Sequence, residues 1–341
     1  MLTKIIAEES IQRAKKLVNQ FDKIVIIAHV SPDGDALGSS LALYHFLIEL
    51  DKQANVIVPN EFPDFLSWMK GAHDIIIHEK SKSIAEETIE AAELIFCLDF
   101  NVLSRIGQLA PLVGQSSAKK VMIDHHLNPG DFCDVIISYP NISSTSELIF
   151  RFICRMGMFE YLNKTCAESI YTGMMTDTGA FTYNSNSPEV YYIISELLQK
   201  GIDKDAIYSR VYNTYSEFRI RMMGFVLYNK MKILHDYKTS LITLSNEELQ
   251  QFNRKKGDTE GFVNIPLSIE DVVFSVFIRE DKDMVKISFR SKGSFPCNQV
   301  ASDLFGGGGH LNAAGGEFYG SLEEAAGLVE NALPNYKHLL I

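Results

Sequence analysis

Ile24-Val-Ile-Ile-Ala-His29-Val-Ser-Pro-Asp33-Gly-Asp35-Ala-Leu-Gly-Ser39 is the stretch on which the fold is decided. Its first half, Ile24 to Val30, is a short continuous apolar run rich in β-branched residues, the pattern of a strand buried on both faces. Its second half breaks that run with Pro32, Gly34 and Gly38 and carries two carboxylates, Asp33 and Asp35, so that with His29 an imidazole and two carboxylates gather at the strand end. Two readings compete on this segment alone. One is a polar turn in which Asp35 or Ser39 caps the next helix; the other is a set of three metal ligands leaving one edge of a sheet.

Five further runs of the same kind follow: NVIVP (55–59), DIIIH (74–78), LIFCLDF (94–100), KVMIDHH (120–126) and DVIISYP (134–140). Helix-length spacers separate them, so the expectation is an α/β domain with a parallel sheet covered by helices on both faces. Ligands of such sheets bind beyond the carboxyl ends of the strands. From Ser144 to about Lys232 the pattern becomes helical, through TSELIFRFICRMG, CAESIYTGMMT and VYYIISELLQK, and a long segment from Ser216 to Leu234 reads as a helix. After His235 alternating strands return at Leu241–Leu244, Val272–Ile278 and Val285–Arg290, followed by a helix near 298–304, a glycine run and a helix at 322–333. The expected organisation is a parallel-sheet domain at 1–215, a helical linker at 216–239 and a smaller α+β domain at 240–341.

Length and composition agree with this division. At roughly 150 residues per domain, 341 residues suggest two domains. A content of 46% hydrophobic and 22% charged residues allows full cores and excludes wholesale disorder. No run approaches the ~18 apolar residues of a membrane span, and MLTKIIAEESIQRAKK scatters charges where a signal peptide would be apolar. A cytoplasmic protein is expected, with no membrane partner. Five cysteines without a CxxC pair read as reduced core residues. With 32 Lys and Arg against 43 Asp and Glu, the net charge of −11 removes the diffuse positive field that holds long nucleic acid. Any nucleic-acid substrate should be short.

Two more strands place chemistry at the same sheet edge. Asp99 ends LIFCLDF, and Asp124-His125-His126 ends KVMIDHH. A lone aspartate at a strand end is ordinarily a loop residue; a coincidence across three strands is not. Of nine histidines, His29, His125 and His126 fall at these ends. Asp177, in Thr176-Asp-Thr-Gly-Ala-Phe181, closes a helix that could turn a carboxylate back to the cleft, although in isolation it reads as a helix-end residue. Clustered carboxylates stay ionised together only beside cations, and aspartate oxygens mixed with imidazoles suit Mn²⁺ or a related divalent ion. Two such ions, at about 3.5–4 Å, point to hydrolysis of a phosphate ester or anhydride.

The second domain offers Ser288-Phe-Arg290-Ser291 at a strand end, then Phe305-Gly306-Gly307-Gly308-Gly309-His310 and Ala313-Ala-Gly-Gly316. Glycines let backbone N–H groups approach an anion, and Arg290 and His310 add charged donors, so the pair reads as a phosphate or ribose clamp; a flexible loop is the competing reading. Ser144-Thr-Ser-Glu147 fits a helix capping box better than a substrate contact. Tyr191-Tyr192 and Met222-Met223 read as packing residues. Arg105, six residues after Asp99, either reaches the cleft or is a surface charge.

Taken together, these motifs resemble the DHH phosphoesterase superfamily, named for the triplet seen here as Asp124-His125-His126. HVSPDGDALGS resembles its first motif, LDF with Asp99 its second, IDHH its third and TDTGAF with Asp177 its fourth, while SFRS and GGGGHLNAAGG resemble the associated DHHA1 domain. The resemblance implies that His29, Asp33 and Asp99 hold one Mn²⁺ and that Asp35, Asp99, His125 and Asp177 hold a second, with Asp99 bridging. It also implies that His126 faces the substrate phosphate, that Asp124 fixes the histidine loop, and that Arg290, Ser291, Gly307, Gly308, Gly309 and His310 hold the far end of a nucleotide.

Within the superfamily, the pyrophosphatase and exopolyphosphatase branch carries a different second domain. The single-stranded-DNA exonucleases are larger, and the membrane-bound cyclic-di-AMP phosphodiesterases add spans. What remains resembles the branch whose members act on very short RNA and remove the 3′-phosphate of adenosine 3′,5′-bisphosphate (pAp). Expected substrates are therefore short oligoribonucleotides and pAp, with linear or cyclic dinucleotides (pApA, pGpG, cyclic-di-AMP) as the alternative. A nucleotide sensor without turnover and a polyphosphatase are the weaker readings. The oligomeric state is left open and a homodimer is admitted.

Overall fold

The computed structural model describes residues 4–253, 255, 257–281 and 283–340. The chain divides into two compact units, Met1–Thr214 and Tyr215–Ile341.

In the first unit the six apolar runs become strands β1 (Lys23–Ile27), β2 (Gln53–Val58), β3 (Ile76–Ile77), β4 (Leu94–Leu98), β5 (Lys119–Asp124) and β6 (Val135–Ser138). They form one parallel sheet in the order β3-β2-β1-β4-β5-β6. Successive side chains point to opposite faces. Ile24 and Ile26 of β1, Leu94, Phe96 and Leu98 of β4, and Val121 and Ile123 of β5 enter one core. Val25, Ile27, Ile95, Cys97 and Met122 enter another. Burial on both faces is why these strands read as unbroken apolar runs.

The helices of this unit are α1 (Glu8–Gln20), α2 (Gly34–Glu49), α3 (Lys82–Glu90), α4 (Ala110–Gln115), α5 (Thr145–Arg155), α6 (Lys164–Asp177), α7 (Pro188–Gln199) and α8 (Lys204–Tyr212). α3 and α4 cover the second core, and the others line the first. The chain runs outward from β1 through β2 to β3 and returns on the other side of β1 as β4. Strand order therefore reverses between β1 and β4, and the crevice beyond their carboxyl ends is where an open α/β sheet accepts a ligand.

The second unit contains α9 (Glu217–Phe225), β7 (Met231–Leu234), β8 (Thr239–Leu244), α10 (Asn246–Gln251), β9 (Phe274–Asp281), β10 (Met284–Ser291), α11 (Cys297–Phe305), β11 (Gly308–His310), β12 (Ala313–Phe318) and α12 (Leu322–Tyr336). Its sheet has the order β11-β12-β10-β9-β8-β7, with β8 and β9 parallel and the other pairs antiparallel. One face packs Val276, Ile287 and Phe289 against α11 and α12. The other packs Ile242, Leu244 and Phe277 against Met222 and Val226.

Two segments differ from the sequence reading. Ser216 to Leu234 is not one helix: α9 ends at Phe225, a π-helical turn spans Val226–Lys230, and Met231–Leu234 adds an edge strand to β8. Segment 216–239, expected as a helical linker, is thus mostly helix and strand of the second unit, because Met222 and Val226 have an apolar sheet face to cover. The glycine run, for which a flexible loop was the competing reading, supplies Gly308 and Gly309 to strand β11. A Cβ on Gly307 would collide with the carbonyl of Gly315, and one on Gly309 with that of Ala313, so the absence of side chains is what permits this pairing.

Among the described residues no helix is long and apolar enough to cross a membrane. The five cysteines are free thiols; Cys97, Cys166 and Cys297 are buried.

Candidate metal centre

Three strand ends and two helix ends build the cluster. His29 lies two residues past β1 and is buried, with Nε2 3.3 Å from Asp99 Oδ2 and 3.9 Å from Asp33 Oδ1. Asp33, not Asp35 or Ser39, caps α2: its Oδ1 accepts the N–H groups of Asp35 and Ala36, each at 3.0 Å. Asp35, in the first turn of the same helix, is 1% exposed. Asp99 follows β4 in a left-handed conformation, φ 61°, which turns its buried carboxylate toward the histidines.

His125 leaves β5 with Nδ1 3.2 Å from the Ile142 carbonyl, to which it donates, so that Nε2 faces the carboxylates. That nitrogen is 3.4 Å from Asp177 Oδ2, 3.6 Å from Asp99 Oδ1 and 3.9 Å from Asp35 Oδ2. His126 turns the other way. Its Nδ1 pairs with Asp124 Oδ1 at 2.8 Å while its backbone N–H donates to Asp124 Oδ2 at 2.9 Å, and Asp124 is fully buried.

Donor atoms from His29, Asp33 and Asp99 lie within 4.8 Å of one another, as do those of Asp35, His125 and Asp177 and those of Asp99, Asp124 and His126. Asp99 connects these groups. Asp177 reaches them because α6 ends there, in a turn whose next residues Gly179, Ala180 and Phe181 are all left-handed. Two non-glycine residues in that conformation are strain held beside the cluster.

The electrostatics are those of anions crowded around imidazoles. Burial, together with the charges of Asp99 and Asp177, raises the Asp35 carboxyl well above its usual range. Burial works against ionised Asp99 too, but the three histidines outweigh it and hold that carboxyl far below its usual range. Burial opposes the His125 imidazolium, yet Asp177, Asp99 and Asp35 push its pKa up to about 9. His29 is also raised, the hydrogen bond to Asp99 and the nearby carboxylates overcoming its burial. His126 is lowered, chiefly by burial. Arg105 belongs to this neighbourhood: its carbonyl accepts the Val30 N–H at 2.8 Å, and its charge opposes protonation of His29 and His126. Converging carboxylate oxygens and imidazole nitrogens, most of them buried, are donors of the kind that can hold a divalent cation.

In the second unit Arg290 stands near the end of β10, paired across to Ser275 of β9 and Ala313 of β12. Its Nη1 donates to the Phe289 carbonyl at 2.9 Å. Ser291 is buried and engaged on both sides, donating to the Phe295 carbonyl at 2.7 Å and accepting from Asn312 Nδ2 at 2.8 Å. Gly308 and Gly309 are exposed on the edge strand β11, which brings His310 opposite Ala313.

Residues 23–174 match the model of the DHH family's N-terminal domain, and residues 237–335 match that of the DHHA1 domain. The bifunctional oligoribonuclease and PAP phosphatase NrnA of Thermus thermophilus is 31% identical over 301 residues, covering 87% of this chain and 84% of that protein. The chain belongs to the DHH family. The cyclic-di-AMP phosphodiesterase PdeA of Listeria monocytogenes is 26% identical over 92% of the chain, which spans 47% of that longer protein. The crystal structure of an exopolyphosphatase-related protein from Bacteroides fragilis superposes with a TM-score of 0.95 at 60% identity, covering 99% of both chains.

The DHH domain brings together His29, Asp33, Asp35, Asp99, Asp124, His125, His126 and Asp177, with Arg105 beside them. In the DHHA1 domain, Arg290 of β10 and His310 of β11 lie opposite Ala313 from the two sides of β12, with Ser291 next to Arg290 and Gly307, Gly308 and Gly309 leading up to His310. Sequence reasoning missed Thr145 and Ser146. Ser144 does cap α5, its Oγ accepting the Glu147 N–H at 3.0 Å, but the reciprocal arm goes elsewhere: Glu147 accepts from Ser143. The two residues that follow the cap face the cluster. Thr145 donates its N–H to Asp35 Oδ2 at 2.6 Å and its hydroxyl to Asp99 Oδ1 at 2.9 Å, and Ser146 N–H donates to Asp35 Oδ1 at 2.9 Å. Their signal was the surplus of hydroxyls in Ser143-Ser-Thr-Ser146, more than one cap can use.

Proposed function

We propose that this protein is a two-metal phosphoesterase that hydrolyses very short oligoribonucleotides to mononucleotides and removes the 3′-phosphate of pAp. The observation that carries the proposal is the convergence of imidazole and carboxylate donors on Asp99 at the strand-order reversal of the sheet. In this reading His29, Asp33 and Asp99 hold one ion, and Asp35, Asp99, His125 and Asp177 hold the other; both are Mn²⁺, which suits the mixed oxygen and nitrogen donors. Bound there, the ions supply Lewis-acid activation of a phosphoryl group and of water.

The chain's own groups do the rest. Asp124 fixes the ring and tautomer of His126: with the proton on Nδ1, shared with Asp124 Oδ1, the Nε2 atom is left to take up and return a proton at a phosphate oxygen. Arg105 adds positive charge beside His29 and His126. Arg290, His310 and the N–H groups of Gly307, Gly308 and Gly309 hold the far phosphate or ribose, with Ser291 setting the turn next to Arg290.

The substrate class rests on two supports. The Thermus thermophilus relative carries both activities in its name, and a net charge of −11 disfavours long nucleic acid while leaving local phosphate contacts intact. The compartment that fits such substrates is the cytoplasm. A second reading, hydrolysis of linear or cyclic dinucleotides, is favoured by the Listeria monocytogenes relative.

Product analysis with Mn²⁺ separates these readings, using pAp, 5′-phosphorylated RNA of two, five and twenty-four nucleotides, cyclic-di-AMP and tripolyphosphate, with Asp99→Ala as control. Release of mononucleotides from the short RNAs and of phosphate from pAp, with a slow twenty-four-mer and a dead control, is the expected result. Preference for cyclic-di-AMP or tripolyphosphate would replace the substrate assignment, and no turnover of any of them would overturn the enzyme.

A further inference from the structure

Asp35 and Asp99 come from different segments of the chain, both are buried, and their charges repel each other. Thr145 binds both: its backbone N–H reaches Asp35 Oδ2 at 2.6 Å and its side-chain hydroxyl reaches Asp99 Oδ1 at 2.9 Å. The residue is fully buried at the first position of α5. Its backbone cannot drift, since Ser144 caps the same turn, Ser146 N–H grips the other oxygen of Asp35, and Glu147 ties Ser143 to Arg151. Two carboxylates are therefore held at a fixed separation by one residue.

We infer that Thr145 is a positioning residue for the metal centre, its hydroxyl holding the Asp99 carboxylate in the orientation that lets it serve both ions. The inference rests on the two-metal reading given above. Asp99 Oδ1 is the atom on which the arrangement turns: it also lies 3.6 Å from His125 Nε2 and 3.7 Å from His126 Nδ1, while Oδ2 faces His29. A hydroxyl that donates to Oδ1 removes one rotational freedom from the carboxylate about its Cβ–Cγ bond and still leaves an acceptor lone pair on each oxygen. Hydrogen bonds of this kind to metal-bound groups typically alter affinity by roughly 10- to 100-fold.

The test is Mn²⁺ binding, read by calorimetry on metal-stripped protein without substrate. Thr145→Val keeps the shape and removes the donor; Thr145→Ser keeps the donor and removes the methyl. Wild type should bind two ions, Thr145→Val should bind at least one of them roughly 10- to 100-fold more weakly, and Thr145→Ser should stay within a few-fold of wild type. If Thr145→Val does not fold, Thr145→Ala, which also lacks the donor, against Thr145→Ser makes the same comparison. Equal affinity of wild type and the valine variant, or equal loss in the serine variant, overturns the positioning role while leaving the metal centre in place. A wild type that binds no Mn²⁺ overturns the metal reading itself, and this inference with it.

Discussion

Gly38 of α2 and Gly173 of α6 touch backbone to backbone: a Cβ on Gly38 would lie 2.7 Å from both the Cα and the nitrogen of Gly173. One turn nearer the cluster, a Cβ on Gly34 would lie 2.6 Å from the Cβ of Thr176. This contact draws the carboxyl end of α6, and with it Asp177, against the amino end of α2, where Asp33 and Asp35 stand. A Cβ on Gly173 would also collide with Ser146 Oγ and lie 2.8 Å from Asp35 Oδ1. Helix packing and the donor cluster are thus the same piece of structure.

Gly38→Ala should therefore destabilise the DHH domain by about 1–3 kcal/mol, since its obstruction is backbone that no rotamer change can move aside. Urea denaturation followed by circular dichroism measures this directly. An unchanged midpoint would mean that the helices separate without cost.

The His125 pKa of about 9 fixes a sign for pH dependence. It stands above the ~6.5 of an unfolded chain, so pairing with Asp177, Asp99 and Asp35 stabilises the metal-free fold fully below about pH 6.5 and loses that effect as pH rises through about 9. A metal needs the neutral ring. Mn²⁺ affinity should rise from pH 6.5 to 9, by up to about tenfold per unit from this group, with proton uptake by the buffer seen in calorimetry. Affinity that is flat across this range contradicts the assignment of His125 Nε2 as a donor.

Asp124→Asn keeps the shape of a buried side chain but lets an amide N–H face His126 Nδ1, which favours the other tautomer. Turnover should fall by at least about tenfold with the fold retained. Nitrogen-15 spectra of His126 should report the tautomer change. Full activity with the tautomer reversed would remove His126 from proton transfer.

Glu147 is 1% exposed, and Arg151 pairs with it at 2.7 Å and with Glu189 at 2.6 Å. Removing the cation in Arg151→Ala strands Glu147 in a dry interior and should cost about 3–5 kcal/mol. The double variant Arg151→Met with Glu147→Leu should recover much of that loss. Failure to recover would place the cost in packing rather than in the unpaired charge.

Much of the candidate cluster was legible because several of its residues follow strands that read unambiguously: β1 precedes His29, β4 precedes Asp99, and β5 precedes His125. Side-chain alternation on a doubly covered sheet leaves no other way for Ile24–Ile27 or Leu94–Leu98 to be buried. Thr145 was missed, since Ser144-Thr-Ser-Glu147 reads locally as a capping box and the partners of Thr145 lie 46 and 110 residues away. Nor was the Gly38–Gly173 contact, because a glycine in a helix reads the same whether it meets solvent or another backbone. In the DHHA1 domain, the strand of Gly308–His310 escaped the sequence because pairing there depends on the neighbouring backbone of Ala313–Gly315 and not on any strand propensity of its own.

Manganese-edge anomalous diffraction from crystals grown with Mn²⁺ tests the central claim most directly. Two peaks should appear on either side of the Asp99 carboxylate, one reached by His29 and Asp33 and the other by Asp35, His125 and Asp177, and both should vanish in Asp99→Ala. A single peak, or peaks that survive that substitution, would contradict a two-metal centre bridged by Asp99.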